Sequence, residues 1–100
     1  MCNKDLQYFK KCLASRGEVE VIDKNSQETA TYANHNGQLV KISANEKLSG
    51  IDAAYSFISS GANPQVDMRV VKEGENSIDN EFLNYLNNAE QNFNNGSTNL

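Results

Sequence analysis

The chain has no tryptophan, one proline, one histidine and two cysteines in 100 residues. Each scarcity removes a class of chemistry. A structural zinc site takes four thiolate or imidazole ligands at short spacing, and Cys2, Cys12 and His35 are too few for one. No metal and no cofactor is therefore expected. The same shortage argues against a cysteine–histidine nucleophile pair, because His35 is the sole ring base and falls in a turn away from either thiol. Cys2 and Cys12 belong to one helical pattern, which sets them ~15 Å apart, beyond disulfide reach. They read as buried apolar thiols. No apolar run approaches the ~18 residues of a membrane span. The stretch Met1-Cys2-Asn3-Lys4-Asp5 has no apolar core for a secretion signal, so a cytoplasmic protein is expected.

Catalytic motifs are missing as well. There is no glycine-rich phosphate loop, no His-Glu-x-x-His, no Cys-x-x-Cys and no Gly-x-Ser-x-Gly; Ser59-Ser60-Gly61 reads as a helix end. Glu18 and Glu20 share a strand face, yet nothing in the sequence separates their acidities as acid–base work requires. The expectation is a chain without catalysis of its own.

What is present is a globular composition, 38% apolar and 22% charged, on a chain long enough for one modest core. Cys2, Leu6, Phe9 and Leu13 recur at helical spacing, which predicts a helix over 3–15 closed by Arg16-Gly17, with glycine as the left-handed cap. Lys10 falls off that stripe. The period then shortens to two. Strands are predicted over 18–23, with Val19 and Val21 inward, over 28–33, and over 38–43, with Val40 and Ile42 inward. Between the last two, Asn36-Gly37 is a type I′ hairpin signal, since both central positions need positive φ. Ser49 and Asp52 match a capping box for a second helix ending at Gly61, with Ile51, Ala54, Tyr55 and Ile58 as its core stripe. Asn63-Pro64 forces an extended connection into a strand over 65–72 carrying Val66, Met68 and Val70 inward. Asn76 or Ser77 caps a last helix with Ile78, Phe82, Leu86 and Ala89 inward, and residues 94–100 are a disordered polar tail. The fold class is α+β, one domain over 1–93. Its order is α-β-β-β-α-β-α, an antiparallel sheet with helices mostly on one face.

Charge is unevenly placed. Residues 1–50 hold seven basic and six acidic side chains, residues 51–100 two and seven. Glu73, Glu75, Asp79, Glu81 and Glu90 follow Lys72 with no further base. First-turn carboxylates suit a helix dipole, and an uncompensated set also recruits a basic surface. Asparagine is abundant, 15 residues, mostly at turns and caps. Asn80, Asn84, Asn87 and Asn88, with Gln91, form a polar face of the last helix opposite its apolar stripe.

Two layouts are similar. The first 61 residues resemble double-stranded RNA-binding domains in order, and Ile51-Asp52-Ala53-Ala54 resembles that family's alanine-rich helix. That family grips phosphates with several lysines, whereas Asn45-Glu46-Lys47-Leu48-Ser49-Gly50 offers only Lys47. Direct nucleic-acid binding is not expected. Over residues 3–60 the layout also resembles small acidic phage-encoded anti-CRISPR proteins, with Asn36-Gly37 and Ile42-Ser43 at comparable places. The strand over 65–72 departs from that pattern, and no contact residue is carried over. The resemblance implies a non-enzymatic inhibitor in a bacterial host cytoplasm, whose carboxylates occupy the basic surface of a nucleic-acid-binding complex. Glu73, Glu75, Asp79 and Glu81, with Glu18, Glu20 and Glu28 on the hairpin, are the expected partner-binding residues. The alternatives are a homodimeric adaptor module, built through uncovered strand edges, and a small-ligand sponge lined by tyrosines.

Overall fold

The computed structural model describes residues 5–98, and Cys2 and the expected helix start at residue 3 lie outside them. The elements run α1 (Leu6–Ala14), β1 (Glu18–Asp23), β2 (Thr29–His35), β3 (Gln38–Ser43), β4 (Lys47–Ser49), α2 (Gly50–Ala62), β5 (Val66–Lys72) and α3 (Asn80–Thr98). The class is α+β, with one antiparallel sheet ordered β4-β3-β2-β1-β5. The addition to the expected order is β4. Three residues are too few to show a period, and β4 forms because Ser43 and Glu46 close a tight turn, Ser43 N donating to the Glu46 carbonyl at 3.0 Å.

The β2–β3 hairpin forms as its sequence dictates. Asn36 and Gly37 take φ of 55° and 87°, His35 pairs with Gln38, and the Gly37 amide donates to Asn34 Oδ1 at 2.8 Å. This two-residue turn fixes which side chains face the helices. Val19 and Val21 lie opposite Tyr32 and Ala30, and the register carries that face through Asn34 to Leu39. Val40 and Ile42 therefore point the other way, and Ile42 is 55% exposed, correcting the inward placement expected of them.

α1 and α2 lie on one face of the sheet, and α3 packs across both. Leu13, Val19, Tyr32, Leu39, Phe57 and Leu86 are fully enclosed between these layers. Tyr32 and Phe57 meet edge to face with centroids 5.3 Å apart, and the Tyr32 hydroxyl pairs with Ser56 Oγ at 2.7 Å. The buried stripe of α2 is Ala53, Ala54, Phe57, Ile58 and Gly61, so the helix is rotated from the expected face and leaves Ile51 and Tyr55 exposed. Phe57, which the expected stripe leaves out, is enclosed against Tyr32, while Tyr55, expected in that stripe, is exposed.

The helix ends differ from expectation for steric reasons. Arg16, not Gly17, carries the left-handed backbone (φ 72°). Gly17 is a spacer, since a Cβ there would sit 2.6 Å from the Lys72 carbonyl and also strike Cys12 Sγ. Ser49 stands at the N-cap of α2 without a side-chain cap bond, and Gly50 opens the helix at φ 65°. Gly61 lies inside the last turn, where a Cβ would press on Leu6, and Asn63 is extended ahead of Pro64. α3 is capped by Asp79, whose Oδ1 accepts from the Phe82 amide at 3.1 Å, three residues past Asn76. Ile78 is left exposed before the helix. The helix continues through 94–98, past the boundary expected at residue 93; residues 99 and 100 of the expected tail lie outside the described residues.

Candidate protein-binding surface

The pleat that buries Val19, Val21, Ala30, Tyr32 and Leu39 sends alternate residues to a sheet face that none of the described helices covers. Cross-strand pairing arranges that face in rows. One row runs Lys47, Ile42, Thr31, Glu20 and Arg69 from β4 to β5, and the next runs Ser49, Val40, Ala33, Glu18 and Lys72. Glu18, Thr31, Ala33, His35, Val40, Ile42 and Lys47 line a shallow groove of about 460 Å³. Its floor is aliphatic, with an ammonium on the β4 side and a carboxylate on the β1 side. Val71 adds a second exposed aliphatic, pushed out where the β1–β5 register slips between Glu18 and Val19. The sequence reading placed Val40 and Ile42 in the core. Counting register outward from the Asn36-Gly37 turn would have put them here.

The expected acidic residues do not form one wall. Residues 73–79 cross the C-terminal end of α1, where Asn76 N donates to the Ser15 carbonyl at 3.1 Å and Asp79 N to the Ala14 carbonyl at 2.8 Å. Gly74 fits because any side chain there would collide with Ser15. This crossing brings Glu73 and Glu18 together around Cys12. Burial pushes the Cys12 thiol pKa up, and the two carboxylates add to the rise, against a smaller lowering by the Gly74 backbone. Glu73, Glu75 and Glu81 are exposed, and no ion pair engages them among the described residues. Asp79, half-buried, works as a helix cap. Glu20 sits on the open face tied to Arg69, with Nε donating to Oε1 at 2.7 Å. Glu28 lies at the far end of the β1–β2 hairpin, away from the others. Arg16 and Lys72 stand at the acidic end too, so its field is weaker than the count of carboxylates suggests.

Asn87, expected on the polar outer face of the last helix, and Glu90, expected among the uncompensated acids, are both engaged by Lys10. Lys10 is buried, and its ammonium donates to Asn87 Oδ1 at 2.7 Å and to Glu90 Oε1. Glu90 is thus compensated by a base 80 residues away, invisible to a reading along the chain. A buried ammonium needs such partners, since an unpaired one costs several kcal/mol.

Among the described residues no three histidine, cysteine or acidic side chains are grouped to hold a metal ion, and no helix is long and apolar enough to cross a membrane. Comparison with protein-family models, with curated proteins and with solved structures returns no match.

Proposed function

We propose that this chain is a non-catalytic protein-binding module that engages its partner through the uncovered sheet face and the acidic end beside it. The observation carrying this reading is the open face itself. Ile42 is exposed and Val40 half-buried between Lys47 on one side and Glu18 and Glu20 on the other, and Val71 is exposed beyond the glutamates on β5. Exposed aliphatics rimmed by charge are the usual composition of an interface centre. Glu73, Glu75 and Glu81 extend the surface with carboxylates free to meet a basic partner, and charge of one sign there accelerates encounter and selects against acidic competitors. An inhibitor that occupies the basic surface of a nucleic-acid-binding complex in a bacterial cytoplasm is the specific form of this reading.

The test is capture of partners from bacterial lysate by the tagged chain, repeated with Ile42→Asp and with the triple change Glu73→Gln, Glu75→Gln, Glu81→Gln. The reading expects a partner held by the parent chain, lost with Ile42→Asp and released by salt at lower concentration from the triple variant. A partner retained equally by all three proteins would end it.

A further inference from the structure

β5 forms one border of the sheet, and its outer side pairs with no other strand among the described residues. It is seven residues long, against three for β4 at the opposite border. Its stretch Val66-Asp67-Met68-Arg69-Val70 reads as its own complement. Laid antiparallel against a second copy about Met68, it sets Val66 opposite Val70, Asp67 opposite Arg69, and Met68 opposite itself. The faces agree as well. Asp67 and Arg69 lie on the open face, each paired across β1 in regular register, and their side chains are 64% and 65% exposed. Val66, Met68 and Val70 lie on the helix side and are part of the core or packed against it. The regular stretch is bounded by the irregularity at Val71 and, at the Pro64 end, by Val66, whose amide donates to the Asn63 carbonyl at 3.1 Å, so Met68 and Val70 supply the amides of the seam.

We infer that the protein forms a two-fold symmetric dimer by antiparallel pairing of β5 with β5 of a second copy, centred on Met68. Two such copies join their sheets into one of ten strands, with the open faces on the same side. Two Asp67–Arg69 pairs bridge the seam above, and Val66, Met68 and Val70 extend the core beneath. Arg69 gives only its Nε to Glu20, and Asp67 meets Lys24 Nζ through Oδ1 at 3.6 Å in an exposed pair, which leaves the terminal nitrogens of Arg69 and the second oxygen of Asp67 for each other across the axis. The inference does not rest on the proposed function: a dimer can form whether or not the open face binds another protein.

Light scattering or sedimentation of the full chain from about 1 to about 100 μM, across which mass action raises the dimer fraction, should approach twice the monomer mass. Asp67→Arg or Arg69→Asp alone puts like charges opposite each other twice across the axis and should weaken the dimer by about tenfold. The double variant Asp67→Arg/Arg69→Asp restores opposite charges and should recover most of that loss. Circular dichroism confirms that each variant is folded. In a Cys2→Ser background, Met68→Cys should cross-link to itself under mild oxidation, while Arg69→Cys should not, because position 69 faces position 67 of the partner. A monomeric mass at 100 μM overturns the inference, and so does a dimer indifferent to the charge reversals and to oxidation of Met68→Cys.

Discussion

At the scale of single residues, the core depends on Phe57 more than on any neighbour in α2. It is fully enclosed and holds the Tyr32 ring edge to face, so Phe57→Ala should cost about 3–5 kcal/mol in urea unfolding. Tyr55→Ala, two positions earlier and 39% exposed, should cost under ~1 kcal/mol, although periodicity alone ranks it as core. Similar losses for both would mean that α2 is rotated from the position described. Titration gives a second residue-level expectation. Burial raises the Cys12 thiol above its ordinary 9.0 and the Tyr32 and Tyr85 phenols above their ordinary 10.0. The unfolded chain therefore releases these protons at lower pH than the folded one. Their contribution is complete below about pH 9 and falls as pH rises beyond it, since the native state then holds more protons than the unfolded state. Thermal unfolding between pH 8 and 11 should show this decline, beginning with the thiol. A flat profile would mean that these groups are already hydrated in the native state.

At the scale of elements, what was legible in the sequence was local and what was hidden was long-range. The strands over 18–23 and 38–43, the Asn36-Gly37 turn and the Phe82, Leu86 and Ala89 stripe could be read because period and turn chemistry are properties of short segments. The inward face of β3 could not be read from its own residues, for Leu39, Val40 and Ile42 are all apolar and only the register chooses among them. The same limit applied to the candidate surface. Glu73, Glu75 and Glu81 lie exposed as their sequence context suggests, whereas Glu90 is drawn inward by Lys10 from the other end of the chain. The start of α3 shows competition between neighbouring caps. Asn76, Ser77 and Asp79 all qualify by type, and Asp79 takes the role because its amide is pinned to the Ala14 carbonyl at 2.8 Å. Asp79→Ala should therefore destabilise the protein by about 0.5–2 kcal/mol, and Ser77→Ala should leave stability unchanged within ~0.5 kcal/mol. Denaturant midpoints compared at equal slope decide between them.

At the scale of the whole molecule, folding and binding draw on different side chains. Glu73, Glu75 and Glu81 are exposed and unpaired among the described residues, so the triple glutamine variant should fold with a melting temperature within about 2–4 °C of the parent. Any loss of partner binding in that variant then reports on the surface alone. A large fall in melting temperature would instead give these carboxylates a structural role. Ile42→Asp should likewise leave the fold standing, because Ile42 faces away from the enclosed layer.

The two borders of the sheet differ in length, and that asymmetry sets how far association can run. β4 has only three residues and turns directly into α2, so it presents too short a row of amides to template another chain. In the inferred dimer, growth from the longer border closes on itself after one step. Concentrated solutions should accordingly stay clear on prolonged storage, with no rise in thioflavin fluorescence, whereas a molecule with two long bare borders would be expected to propagate into fibrils.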